Sequence, residues 1–426
     1  MVKAKGADNR ANGFGTGPVF FTAISTILGA ILFLRFGFAV GMLGFWGGIF
    51  IILLGHLITI PTALAISELA TNTRVEGGGE YFIISRSFGL KIGTTIGVAL
   101  YLSQTIGVAF YIVAFTEAFE PLFFGWQNNF GWDLPRQAIS IPALAILAFL
   151  ILRKGSGMGV KALIIVTVIL FGLIMLFFLG KPIESEEALR QPGNNFGFFN
   201  QSNFFTVFAI CFPAFTGMTA GVGLSGDLRN PAKSIPLGTL SATFVGMIVY
   251  VFIVWKLSVS ASQADLLEHQ LIMSKIALGG ALIIPLGLAA STASSALGSI
   301  LVAPRTLQAI AADRSLPLRR FNILMSRAKG NNREPVNATI FTLIVAFIFV
   351  AIGNVNLVAG VISMFFLITY GSLCLISFLN HFGSPPSYRP RFKSRWYFSL
   401  AGFLLSVWVM FQISPVYTIA SYMIII

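Results

Sequence analysis

Twelve apolar stretches, each about as long as a helix, divide this chain: 18–41, 45–68, 91–119, 136–152, 160–180, 203–222, 237–257, 278–303, 336–353, 356–380, 397–413 and 415–426. A hydrocarbon core roughly 30 Å thick takes about 20 apolar residues per helix, and lipid offers no partner to an unpaired backbone group, so such stretches fold as spanning helices. Twelve of them use well over half of the 426 residues and leave short loops. Only 10% of the residues are charged and the mean hydropathy is +0.85, whereas a soluble domain carries roughly 25% charge. A soluble globular protein is excluded, and the fold class is an all-α integral membrane protein. The first stretch is too long for a signal-peptide core and is read as the first span. Cys211 and Cys374 both lie inside apolar stretches, which argues against a disulfide framework or a zinc site.

The basic residues fix an orientation. Counting Lys and Arg loop by loop from the amino-terminal tail puts 22 on one side of the membrane, 5 on the other and Arg35 alone inside a span, accounting for all 28. One missed span would scramble that asymmetry, so it supports the twelve-span reading, with both termini cytoplasmic. The net charge of +13 is thereby placed in short loops without an aromatic stacking platform, and no nucleic-acid partner is implied. The expected organisation is a cytoplasmic tail over 1–17, a first repeat of five spans over 18–202, a second over 203–380, and two further spans over 381–426. The last stretch is short of a full crossing, as expected of a trimmed membrane domain.

Two spans are interrupted by glycine, and they stand five spans apart. The first reads Ser25-Thr26-Ile27-Leu28-Gly29-Ala30-Ile31, and the sixth reads Pro213-Ala214-Phe215-Thr216-Gly217-Met218-Thr219-Ala220-Gly221. Glycine in a membrane helix can simply permit close packing. Breaks at matching positions in two halves point instead to a secondary transporter built from inverted repeats. A broken helix offers carbonyls from its first half to a cation and amides from its second half to an anion. Glu68, Glu117 and Glu120 lie near span ends, and Asp227 and Asp313 lie just past them. With no mid-span charge to balance it, a lone bound ion would be costly, so the pattern favours a substrate set that is neutral overall. A cation with chloride satisfies this, and so does a zwitterionic amino acid.

Other polar groups inside the spans add candidates. Span eight carries Ser291-Thr292-Ala293-Ser294-Ser295, hydroxyls suited to a small hard cation such as sodium. Serines in membrane helices also bond back to the preceding turn. Tyr111 and Tyr370 are isolated phenols in apolar surroundings; the first could offer its oxygen to a cation and the second its proton to an anion. Arg35 needs a partner or a route to the headgroups, and Glu117 is the candidate at similar depth. Gly77-Gly78-Gly79 lacks the strand before it and the Lys-Ser or Lys-Thr after it that a phosphate loop needs. His56, His269 and His381 show no ligand spacing, no nucleophile–base set is visible, and an enzyme is not expected. Nor does the sequence suggest the rings of ligands that an ion channel needs.

Several motifs resemble the cation-chloride cotransporter family, within the amino acid, polyamine and organocation superfamily. They are Gly29 to Arg35 in the first span, Ala70-Thr71-Asn72 through Gly77 to Gly89, Phe212-Pro213-Ala214 with Thr216-Gly217, and Gly226-Asp227-Leu228 with Ile235 to Leu240. Ser294-Ser295-Ala296-Leu297, Ala303-Pro304-Arg305, Glu334-Pro335, Phe365-Phe366-Leu367 with Tyr370, and Tyr388-Arg389-Pro390 continue the series. The resemblance implies a leucine-transporter-type 5+5 inverted repeat with two additional helices. By position it implies sodium at the carbonyls of Ser25 and Leu28 with Ser291, Ser294 and Ser295, and potassium at Tyr111, Thr26, Ile27, Pro213 and Thr216. It implies one chloride on the amides of Gly29, Ala30 and Ile31, a second on Gly217, Met218 and Thr219 with the Tyr370 hydroxyl, and an extracellular gate of Arg35 and Glu117. Ser294 together with Ser295 is similar to the sodium-coupled branch. Thr26 stands where the family usually has Asn, which leaves potassium open. The reading is therefore a symporter of the plasma membrane coupling sodium, with potassium as a further candidate, to chloride by alternating access. Its partners are the bilayer, the transported ions and a candidate second copy in a homodimer, and no cofactor is expected. The alternative is an amino acid or polyamine permease on the same fold, which usually shows a Gly-Ser-Gly-like first break that this chain lacks.

Overall fold

The computed structural model describes residues 15–72, 79–154, 159–183, 203–222, 228–329, 334–383 and 388–425. Apart from one isolated antiparallel bridge between Lys329 and Glu334, the described residues form helices and their connections. Each of the twelve expected stretches contains helix. Eight helices or broken helices are long and apolar enough to cross a membrane: Thr16–Leu34, Phe36–Asn72, Leu90–Glu117, Phe204–Val222, Pro231–Ser260, Gly280–Ala312, Val355–Gly383 and Trp396–Ile413. Gln137–Arg153, Ile164–Leu179 and Val336–Ile352 are shorter apolar helices, and Pro415–Ile425 has 11 residues. The chain is a multi-pass membrane protein. The expected glycine-rich stretch at Gly77-Gly78, the loop carrying Arg190, and Asp227 lie outside the described residues.

The helices around the first break are α1 (Thr16–Ile27), α2 (Ala30–Leu34) and α3 (Phe36–Asn72). These are followed by α4 (Gly79–Phe88) and α5 (Leu90–Glu117). The first two expected spans meet in α3, whose one non-helical residue is Gly44 at φ 76°. A positive φ is easily reached only without a Cβ, so the expected loop over 42–44 shrinks to a one-residue corner.

Burial follows the demands of lipid. Ile165, Met175, Leu282 and Phe347 are strongly exposed on the outer faces, an arrangement that hydrocarbon satisfies and water does not. Inside, small residues let helices approach closely. A Cβ at Gly246 would meet Ile27 at 2.6 Å, one at Gly238 would meet Val19 at 2.6 Å, and one at Gly55 would meet the Phe215 ring at 2.3 Å. The Pro231–Ser260 helix thus presses its glycines onto α1, and α3 receives the aromatic end of the sixth span. Both broken helices consequently lie in the centre, enclosed by α3, α5 and the Gly280–Ala312 and Val355–Gly383 helices.

Candidate functional site

The first break is two residues long. α1 ends at Ile27, Leu28 leaves the helical region at ψ 36°, and Gly29 is extended at φ −87° and ψ −153° before α2 starts at Ala30. Any residue can adopt that backbone, so the glycine answers a different need. A Cβ on Gly29 would stand 2.7 Å from the Thr26 carbonyl oxygen and 3.5 Å from Ser295 Oγ. The amides of Gly29, Ala30 and Ile31 open the second half-helix, as an anion site requires.

The second break has a different local cause. The Phe204–Cys211 helix passes into a 3₁₀ turn over Phe212–Phe215, tightened at Pro213, and the α-helix resumes at Met218–Val222. Proline cannot donate to the ladder, and the Thr216 hydroxyl takes up the Pro213 carbonyl at 2.9 Å. The Thr216 carbonyl accepts from the Tyr370 hydroxyl at 2.6 Å and from Thr219 Oγ1 at 3.2 Å.

The two breaks touch. A Cβ on Gly217 would fall 2.6 Å from the Ile27 amide nitrogen and 2.9 Å from the Thr26 carbonyl carbon. The Ser25–Ile31 and Pro213–Thr219 stretches therefore share one spot. The Ile27 carbonyl accepts from the Tyr250 hydroxyl. Tyr111 is buried and near enough to interact electrostatically with both Tyr250 and Tyr370. The hydroxyls of Ser25 and Thr26 each bond back to the Thr22 carbonyl at 3.0 Å. Their lone pairs stay free for a cation, because a hydroxyl that donates once can still accept.

The Gly280–Ala312 helix brings further hydroxyls to the first break. Ser291, Ser294 and Ser295 are all buried, and among the described residues Ser291 Oγ and Ser295 Oγ have no hydrogen-bond partner, as is also true of the Thr22, Thr59, Ser140 and Ser260 hydroxyls. A buried hydroxyl left unpaired costs about 1–3 kcal/mol, and the neighbouring Thr292 avoids that cost by bonding back to Leu288 at 2.7 Å. Ser295 Oγ lies on the side toward Gly29, and Ser291 stands one helical turn before it on the same face.

Tyr370 is already engaged with Thr216 and would have to turn its proton to serve an anion. Beyond the first break, Arg35 bonds the Asn356 side chain at 2.8 Å and the Leu34 carbonyl at 3.0 Å. Glu117 forms its ion pair with Arg136, and its Oε2 has no hydrogen-bond partner. Arg35 and Glu117 feel each other's charge without a direct ion pair among the described residues. Among those residues there is also no cluster of three or more His, Cys, Asp and Glu.

Sequence reasoning missed Tyr250, Gln104, Asn356 and Arg136 as participants. Tyr250 stands alone among apolar residues, the signal that singled out Tyr111 and Tyr370, whereas Gln104, whose amide reaches Thr219 Oγ1 at 3.5 Å, lies between Ser103 and Thr105 and lacks that signal. The partners of Arg35 and Glu117 left no such mark.

The chain is similar to solute carrier family 12 member 1 of Mus musculus, with 31% identity over 93% of this chain and 40% of that protein. Cation-chloride cotransporter 1 of Oryza sativa subsp. japonica is 30% identical over 95% of this chain and 45% of its own length. Solute carrier family 12 member 2 of Homo sapiens is 31% identical over 96% of this chain and 37% of its own. The chain thus spans about two fifths of the length of the curated relatives it matches. The amino acid permease family matches residues 18–426, from the start of α1 onward. On that match, covering both broken helices and everything packed around them, the chain belongs to the amino acid permease family.

Proposed function

We propose that the protein is a secondary active symporter of the plasma membrane that carries chloride with sodium, and with potassium as a further candidate, by alternating access. The observation that carries this reading is the pair of orphaned hydroxyls, Ser291 and Ser295, facing a first break whose amides and carbonyls are arranged for opposite charges. Sodium bound by the Ser25 and Leu28 carbonyls with Ser291, Ser294 and Ser295 brings one positive charge into a pocket without a carboxylate of its own. Chloride on the amides of Gly29, Ala30 and Ile31 balances it. A second pair, potassium by Tyr111, Thr26, Ile27, Pro213 and Thr216 and chloride by Gly217, Met218 and Thr219, keeps the sum at zero. Coupling follows from electrostatics, since either ion alone meets the desolvation penalty that its partner relieves.

In this reading the twelve helical stretches are twelve spans, five in each inverted repeat and two beyond, with both termini in the cytoplasm. Arg35, held by Asn356 of the Val355–Gly383 helix, and Glu117, held by Arg136 just before the Gln137–Lys154 helix, form the extracellular gate. The relatives named as cation-chloride cotransporters support the choice of cargo over an amino acid. The test is radiolabelled chloride uptake into proteoliposomes with sodium, potassium and amino acids varied in turn. Uptake that follows a sodium gradient and ignores amino acids is expected. Uptake indifferent to both cations overturns the symport reading.

A further inference from the structure

Glu80 opens α4, between the second and third spans, and is 4% exposed, yet among the described residues neither of its carboxylate oxygens has a hydrogen-bond partner. Burial without partners disfavours the charged form far more than the acid. The ion site as described makes no use of this group. α4 lies mainly against α5, with the Tyr81 ring against Gly97 and Ser85 against Gly93, and also touches α3 and the Gly280–Ala312 and Val355–Gly383 helices.

The other titratable groups on those elements are engaged or placed elsewhere. Tyr81 and Arg86 of α4 both hold Asp313, at 2.8 and 3.0 Å. On α3, Glu68 accepts from Ser377 and Ser394 with His381 of the Val355–Gly383 helix beside it, and His56 meets the Ile52 carbonyl. On α5, Lys91 is exposed, Tyr101 accepts from Thr342, Tyr111 is buried among the core aromatics, and Glu117 pairs with Arg136. Arg305 of the Gly280–Ala312 helix has a partner, and Cys374 meets Thr62. Among the described residues that leaves Tyr370, which sits on the Val355–Gly383 helix that α4 touches and within electrostatic reach of Glu80. The Tyr370 hydroxyl is the one that closes on the Thr216 carbonyl at the second break.

We propose that Glu80 is a proton-binding site linked to the anion at the second break: its neutral acid permits chloride beside Gly217, Met218 and Thr219, and its carboxylate repels it. The proposal rests on the chloride reading given above. The linkage is between like charges in a region of low dielectric, where repulsion is strong. Burial pushes the Glu80 carboxyl up to about 8, so the acid form prevails at neutral pH and is lost as pH rises through that value. Chloride affinity is then greatest below it and falls above it. By reciprocity, bound chloride makes Glu80 hold its proton more tightly. The proton comes from water and returns to it, with no other bond made or broken.

The experiment is calorimetric titration of chloride into the purified chain in detergent, in the presence of sodium, at pH values from below to above that of Glu80. For the unaltered chain, affinity falls with rising pH by roughly 5- to 150-fold, the range of coupling between linked sites. Glu80→Gln holds the low-pH affinity throughout, and Glu80→Asp keeps a pH dependence. Chloride binding by the unaltered chain that is independent of pH overturns the proposal, and so does an unchanged pH dependence in Glu80→Gln. Absence of chloride binding at every pH, in protein whose melting shows it folded, overturns the chloride reading and this proposal with it.

Discussion

Replacing Gly217 by alanine tests the contact between the two breaks. The added Cβ would stand 2.6 Å from the Ile27 nitrogen and 2.9 Å from the Thr26 carbonyl carbon and Cβ, where ordinary contact is about 3.5 Å. Two of those three atoms are backbone and cannot swing aside, so one broken helix must shift against the other by almost an ångström. Overpacking of this kind costs about 1–3 kcal/mol. At the upper end, roughly 30- to 150-fold fewer molecules hold the packed arrangement. Gly298→Ala is the matched control, because a Cβ there meets nothing within 4 Å and the change gains up to about 1 kcal/mol of helix propensity. Melting in detergent and radiolabelled chloride uptake, measured side by side, should show Gly217→Ala less stable and nearly inactive, with Gly298→Ala at least as stable as the parent. Unchanged melting and uptake in Gly217→Ala would refute the argument that the breaks are in contact.

Ser295→Ala removes a buried hydroxyl that has no partner, so in sodium-free buffer it should leave melting unchanged or raise it by the relief of a roughly 1–3 kcal/mol penalty. The same variant should require more sodium for half-maximal chloride uptake, and an unaltered sodium requirement would remove Ser295 from the site. Glu68→Ala takes the acceptor from Ser377 and from both the amide and hydroxyl of Ser394, charged bonds worth about 1.5–3 kcal/mol each. A lower melting temperature with increased proteolysis in the segment after Gly383 is expected, and intact protection there would show that Glu68 does not hold that segment.

The helical stretches were legible because lipid makes an apolar run helical, and the breaks because their glycines stand at matching positions in two spans. Proline alone does not stop a helix here, since Pro61, Pro142, Pro236 and Pro285 lie inside continuous ones. What each break is for was less legible. Gly29 looks like a residue needed for its backbone freedom, yet its φ is ordinary, and its reason lies in Thr26 and Ser295, the latter far away in sequence. The pairing of Arg35 with Glu117 followed from depth alone, and depth could not reveal Asn356 or Arg136 as partners in direct contact. Glu80 was hidden because a carboxylate after three glycines looks solvent-facing, and only the packing of α4 on α5 buries it. Tyr250 carried the same signal as Tyr111 and Tyr370 and was passed over.

Gly44 has a mechanical consequence. With a single residue at the corner between 36–43 and 45–72, the slack there is one Cα–Cα step of about 3.8 Å. A shift of 36–43 can be taken up there only by turning about Gly44, and any sliding along the helix axis passes to the end at Asn72. Asn72 accepts from the Arg389 amide at 2.7 Å, and Thr71 from the Phe392 amide at 3.0 Å. One continuous helix thereby ties the corner at Gly44 to the segment that precedes Trp396, so a cross-link that pins either end restrains the other.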